Sequence, residues 1–189
     1  MNEKSKWENG KPKIAIILGS RKDEPTVVAS KLFHILKNAG IGYEYSIISS
    51  DRNPEELRTY CKSLDTEIIA VIAVAGLIPN LPIVTKSWAP HIPVISVPLT
   101  GDGYTPNDTL LAAASTPGER PIIVSGIGKN GLEKAGYLAV EIAGVKHAHI
   151  RKKYASLQEI KSAEIKTTHP RPKSKKGSET NGSARPHFS

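Results

Sequence analysis

Two short polar loops hold the residues whose types and spacing suit chemistry on a phosphate ester. Gly19-Ser20-Arg21-Lys22-Asp23 follows the apolar run Ile14 to Leu18, and Ser49-Ser50-Asp51-Arg52-Asn53-Pro54 follows Tyr45-Ser46-Ile47-Ile48. Each loop comes after an expected buried strand and opens a helix, so hydroxyls, backbone N–H groups and one guanidinium should gather on a single sheet edge, where a phosphate can be held. Arg52 offers the forked donor set that binds phosphate bidentately. Asp23 is a good acceptor for sugar hydroxyls. Ser20, Ser49 and Ser50 taken singly read as ordinary helix caps. Their coincidence with Arg52 on one edge favours phosphate.

That edge exists only if the elements around it form a parallel sheet. Continuous Val/Ile-rich runs bounded by Gly, Pro, Ser and Asn recur at residues 13–18, 43–48, 68–75, 92–97 and 121–125. Runs apolar on both faces read as buried parallel strands. The segments between them fit helices at 25–38, 54–64, 81–88, 106–115 and 130–143, with Pro25 and Pro54 suited to first-turn positions and Gly40 to a C-terminal cap. Alternating βα units predict a three-layer α/β/α domain with a doubly wound parallel sheet, flavodoxin-like or Rossmann-like. Right-handed crossovers then put every strand-to-helix loop on one edge.

Charge marks where the domain ends. The chain has 26 Lys+Arg against 18 Asp+Glu, yet residues 146–189 hold 11 of the basic residues and 3 of the acidic ones, leaving residues 1–145 with 15 of each sign. The basic balance therefore belongs to an appendage, and the folded domain loses its main claim to bind nucleic acid. Residues 1–11 read as an N-terminal extension, 12–145 as the α/β domain, 146–166 as a helical extension with its helix over 150–166, and 167–189 as a disordered basic tail rich in Pro, Ser, Lys and Gly. No segment is long or apolar enough to span a membrane, and the first residues lack the apolar stretch of a signal peptide. Cys61 is the single cysteine, so no internal disulfide can form. A cytoplasmic protein is expected, with Cys61 as a packing residue.

The remaining loops add less. Gly126-Ile127-Gly128-Lys129-Asn130-Gly131 has dinucleotide-site glycine spacing, but no later strand exists to carry the acidic partner such a site requires, so a tight turn with close helix packing is expected. Lys129 there is a candidate anion contact or interface residue. The polar loop Leu99 to Pro106 suits a solvated turn or a lid. His34 falls mid-helix, His91 on the opposite sheet edge, and His147, His149, His169 and His187 in or near the appendage. None has metal-ligand spacing within an ordered motif. Neither a metal nor a cofactor is expected.

In order, the segments ILGSRKD, IISSDRNPEEL, VIAVAGLIPNLP, PVISVPLTG and GIGKNGLEKAGYLAVEIAG resemble the PurE family, the aminoimidazole ribonucleotide carboxylases and carboxyaminoimidazole ribonucleotide mutases of purine biosynthesis. The resemblance covers about residues 12–144, and its wording at AVAG and PVISVPLT is closest to the class II members, which take CO2 directly. It implies a ribonucleotide substrate and CO2. Ser20, Ser49, Ser50 and Arg52 would sit around the phosphate and Asp23 on the ribose, with Gly19, Gly76 and Asn80 also binding substrate, Asn80 near where class I members place a second His. It also implies a homo-octamer or homo-tetramer, for which the Ala-rich stretches Leu110 to Ala114 and Ala135 to Ala143 suit close helix contacts.

The family's second loop carries a His as proton shuttle, and here that position is Asp51. A carboxylate is a far weaker base than an imidazole near neutral pH, although it can accept a proton from an already activated carbon. Two functions follow from this departure. One is a carboxylase in which Asp51 is the catalytic residue. The other is a PurE-like nucleotide-binding protein, non-catalytic or differently catalytic, including one similar to the nickel-pincer cofactor carboxylases.

Overall fold

The computed structural model describes residues 11–76, 80–101 and 103–164. Strand β1 (Lys13–Leu18) leads through a 3-10 turn, Arg21–Asp23, into helices α1 (Glu24–Val28) and α2 (Leu32–Ala39). There follow β2 (Gly42–Ile47), α3 (Pro54–Ser63), β3 (Ile68–Gly76), α4 (Asn80–Trp88), β4 (Val94–Leu99), α5 (Pro106–Ala114) and β5 (Ile123–Val124). The chain then forms α6 (Gly128–Lys146) and α7 (Ala148–Glu164). All pairings are parallel and the strand order is β2-β1-β3-β4-β5. This is the flavodoxin-like doubly wound sheet, whose winding reverses between β1 and β3.

Alternation along each strand divides the core in two. Ile14, Ile16, Leu18, Ile72, Val74, Ile95 and Val97 meet the apolar faces of α2 and α6, whereas Ala15, Ile17, Val71, Ala73 and Val94 meet Leu57 and Cys61 of α3 and Leu81 of α4. Both faces of β1, β3 and β4 are covered, which is why these strands read as unbroken apolar runs. Cys61 is buried, and desolvation pushes its thiol up to about 11, as suits a packing residue.

Several boundaries differ from expectation for local reasons. The helix expected over residues 25–38 breaks at Ser30, whose hydroxyl donates to Val27 O at 2.7 Å and accepts from Leu32 N at 3.2 Å. The side chain thus ends α1 and starts α2. Strand β4 begins two residues later than expected because Ile92 N turns back to Ala89 O; Pro93, lacking an N–H, contributes only its carbonyl, to Val71 N. Strand β5 is two residues long rather than five. Gly40 ends α2 in the left-handed conformation at φ 76°, as anticipated.

The face Ala135 to Ala143, expected to contact another subunit, is turned inward instead. Ala135, Ala139 and Ala143 are fully buried in this chain's own core. Their small side chains, with Gly136 against Leu32 and Ile35, let α6 sit close to the sheet and α2. Helix α7 packs back on the domain through buried Ile150 and through Tyr154, whose ring lies 5.9 Å from that of Tyr137. Residues 1–10 and 165–189, which include the expected tail, lie outside the described residues. Among the described residues no helix is long and apolar enough to cross a membrane.

Candidate active site

Strand β1 ends at Leu18, and Gly19 carries its ladder one residue further by donating to Val74 O at 2.9 Å. The chain then turns at Ser20, whose Oγ accepts from Lys22 N at 3.2 Å. This closes the 3-10 turn and sets Asp23 above the junction of β1 and β3. A Cβ placed on Gly76, at the end of β3, would lie 3.9 Å from Asp23 Oδ1, so the carboxylate stands over the crevice where the winding reverses. Burial pushes the Asp23 carboxyl above its ordinary value, opposed by a backbone hydrogen bond at Ser20 and by the Arg52 guanidinium.

The second loop is built by Ser49. Its Oγ accepts from Arg52 N at 3.2 Å and from Asp51 N at 3.4 Å, folding residues 49–52 into a turn before Pro54 starts α3. Ser50 Oγ donates to Asp51 Oδ1 at 3.2 Å. Arg52 reaches across to the first loop, where its Nη2 donates to Gly19 O at 3.2 Å. One bond thus ties the two loops together and leaves the rest of the guanidinium free to meet an anion.

These loops form one side of a cleft of about 560 Å³. Nine of the residues singled out from the sequence line it: Gly19, Ser20 and Asp23; Ser49, Ser50, Asp51 and Arg52; Gly76 and Asn80. Sequence reasoning missed Lys22 and Thr26 on the first loop and α1, Thr100 and Gly101 after β4, and Gly128 at the start of α6. Lys22 lies between two residues that were selected, and Thr26 one turn beyond Asp23, so the same edge argument could have found both. Lys129 is exposed and does not line the cleft, and of the loop after β4 the residue Asp102, like Leu77, Ile78 and Pro79 after β3, lies outside the described residues.

The glycine-rich turn before α6 is a packing device. Gly126 and Gly128 have φ of 119° and 61°, and a Cβ on Gly131 would come within 2.2 Å of Gly126 O. Ser125 Oγ fixes the same turn, 2.9 Å from Gly131 O and 3.2 Å from Ser96 O.

The cleft therefore offers two cations, two carboxylates, several hydroxyls and one carboxamide. No histidine among the described residues lines it. His34 is exposed on α2 beside Asn38, His91 precedes β4 on the far edge, and His147 and His149 face each other at the α6–α7 junction with ring centres 5.9 Å apart. No group of three or more His, Cys, Asp or Glu among the described residues could hold a metal ion.

An open parallel sheet with a polar crevice at its switch point defines the class of doubly wound α/β proteins, whose ligands bind outside the carboxyl ends of the strands. Within that class, a family model described as AIR carboxylase matches residues 13–164. The chain belongs to the AIR carboxylase family. It is 34% identical over 155 residues to the N5-carboxyaminoimidazole ribonucleotide mutase of Thermotoga maritima, covering 82% of this chain and 88% of that protein. The mutase of Methanocaldococcus jannaschii is 35% identical over 148 residues, covering 77% of this chain and 88% of its own length. The crystal structure of Treponema denticola PurE superposes with a TM-score of 0.71 at 21% identity, over 82% of this chain and 94% of that one. This likeness shows the same fold.

Proposed function

We propose that this protein carboxylates aminoimidazole ribonucleotide in purine biosynthesis, with CO2 as donor, as a homo-octamer or homo-tetramer in the cytoplasm. The observation that carries the reading is the closure of the Ser49–Arg52 turn onto the first loop, directly beside Gly76 at the switch point. Ser20, Ser49 and the Arg52 guanidinium bind the phosphate, with Ser50 and Gly19 completing the rim. Asp23 accepts from the ribose hydroxyls. Asn80, at the N-terminus of α4, meets the aminoimidazole. A new bond forms between the carbon of CO2 and a ring carbon of the substrate, and the proton on that ring carbon passes to Asp51 and then to water. Asp51 accepts it late, from a carbon already activated by carboxylation, a step within the reach of a carboxylate.

Direct use of CO2 is supported by the wording of residues 73–76 and 93–100. The curated relatives bear the mutase name, so the N5-carboxylated nucleotide is the rival donor. Incubating the purified protein with aminoimidazole ribonucleotide and labelled bicarbonate separates the two. Label fixed in a carboxylated ribonucleotide kept near neutral pH, without ATP, is the expected result. Conversion of the N5-carboxylated nucleotide with no label uptake would make the protein a mutase. A second reading is favoured by the lack of any described histidine in the cleft: a PurE-like nucleotide-binding protein that is non-catalytic, or that carboxylates another nucleotide. Tight binding of aminoimidazole ribonucleotide with neither conversion would establish it.

A further inference from the structure

The outer edge of β2 is a feature of the described surface that the cleft does not use. Among the described residues strand β2 pairs only with β1. Gly42 N and Ile48 N donate toward β1, so by alternation the backbone groups of Tyr43, Tyr45 and Ile47 point outward without a sheet partner. A groove of about 820 Å³ runs along this edge, floored by Tyr45, Ser46 and Ile47 and walled by Glu24 on one side and by Glu55 and Glu56 of α3 on the other.

The groove is anionic. Tyr45 Oη donates to Glu24 Oε1 at 3.4 Å, and Tyr60 Oη donates to Glu44 Oε2 at 3.5 Å. Burial and the Glu24 carboxylate push the Tyr45 phenol up to about 12, so its hydroxyl stays a donor. Arg21 lines the groove and Arg58 pairs with Glu55 at 3.2 Å, but no salt bridge among the described residues joins Arg21 or Arg58 to Glu24 or Glu56. The same chain holds the complementary charge. Helix α7 ends at Glu164, and residues 165–189 carry six Lys and Arg against one Glu, concentrated in Arg171-Pro172-Lys173-Ser174-Lys175-Lys176. At roughly 3.3 Å per extended residue this length of chain reaches any point on a domain about 40 Å across.

We propose that the β2 groove is the docking site of this basic C-terminal segment, added along β2 as an edge strand from the same or a neighbouring copy. Backbone bonds to Tyr43, Tyr45 and Ile47 supply the affinity, and the acidic walls select lysines and arginines. The same walls reject the β2 edge of a second copy, which would set Glu24 and Glu56 against their own kind. Docking also bears on the cleft. Arg21 and Glu24 belong to the turn that carries Ser20 and Asp23, so an occupied groove steadies the cleft's outer wall.

Amide hydrogen exchange on the full-length protein tests this. In the peptide spanning residues 42–50 at low salt, the variant Arg171→Glu, Lys173→Glu, Lys175→Glu, Lys176→Glu is expected to exchange about tenfold faster than the wild type, with β3 peptides unchanged. Raising NaCl to about 0.5 M should remove the difference by screening the pairing. Adding Glu24→Lys and Glu56→Lys to the tail variant should restore protection, since the pairing then has its signs reversed. Equal exchange in wild type and tail variant overturns the proposal. Protection that follows protein concentration and ignores tail charge would assign the groove to a second copy, and overturns it as well.

Discussion

Arg52 joins the two loops of the cleft, and its loss should be felt by the ligand more than by the fold. It is exposed, and its one described side-chain bond is to Gly19 O. Arg52→Ala is expected to weaken nucleotide binding by about 2 to 3 kcal/mol, the cost of a charge-assisted contact left unmade, with calorimetry as the measurement. Asp51→His tests the proton step. An imidazole titrating near ~6.5 is better matched to neutral pH than a carboxylate, so label uptake into aminoimidazole ribonucleotide should rise by ~10²-fold or more. A variant that still binds the nucleotide without gaining activity would remove position 51 from the proton path. Asp23 gives a pH signature. Its folded-state pKa is raised, so its ionisation opposes folding, and stability falls as pH rises from the ordinary carboxylate range through the folded value. Asp23→Asn should therefore melt higher than the wild type at neutral pH, and the gain should vanish at a pH below the ordinary carboxylate range. Positions of this kind were legible because each side chain's chemistry is local to its loop. Lys22 and Thr26 share that edge and were within reach of the same argument, but a lysine and a threonine near a turn carry no signal of their own that sets a cleft apart from solvent.

The elements were legible where apolar periodicity ran unbroken and obscure where a single polar atom decided the outcome. Strands β1 and β3 match expectation almost residue for residue, since both faces are buried. The break at Ser30 depends on a hydroxyl bonding to its own backbone, and the late start of β4 on a proline's missing donor; neither alters hydropathy. The turn before α6 shows how firmly one element can be held by a single glycine. Gly131→Ala would press a methyl group against Gly126 O and displace the loop that brings Gly128 to the cleft. A loss of about 3 kcal/mol in urea unfolding is expected, the upper range for forced overpacking, whereas Gly118→Ala, with open space around it, should be near neutral.

Across the whole molecule, strand order and winding followed from the alternation of βα units, but the direction faced by the Ala135 to Ala143 stretch did not. A row of alanines reads alike whether it meets the chain's own sheet or a neighbour, and on α6 it meets the sheet. Exposed apolar side chains are spread over the described surface, Val145 at the end of α6 and Val28 on α1 among them, and three of them, Leu110, Leu111 and Ile123, fall on α5 and the short β5 edge. If the chain assembles through that region, Leu111→Asp should lower the particle mass in analytical ultracentrifugation while leaving the helical circular dichroism signal intact. An unchanged mass would place the contact on another face.

The separation between the turn at residues 49–52 and the two buried clusters has an evolutionary consequence. Asp51 and Arg52 are exposed, and the bonds that shape their turn run through the Ser49 hydroxyl and the backbone. Exchanging the side chain at position 51 removes no core contact and opens no cavity. A lineage can therefore trade imidazole for carboxylate at this point, or the reverse, by one substitution without approaching the threshold at which folding fails. Chemistry here can drift while the scaffold stands still.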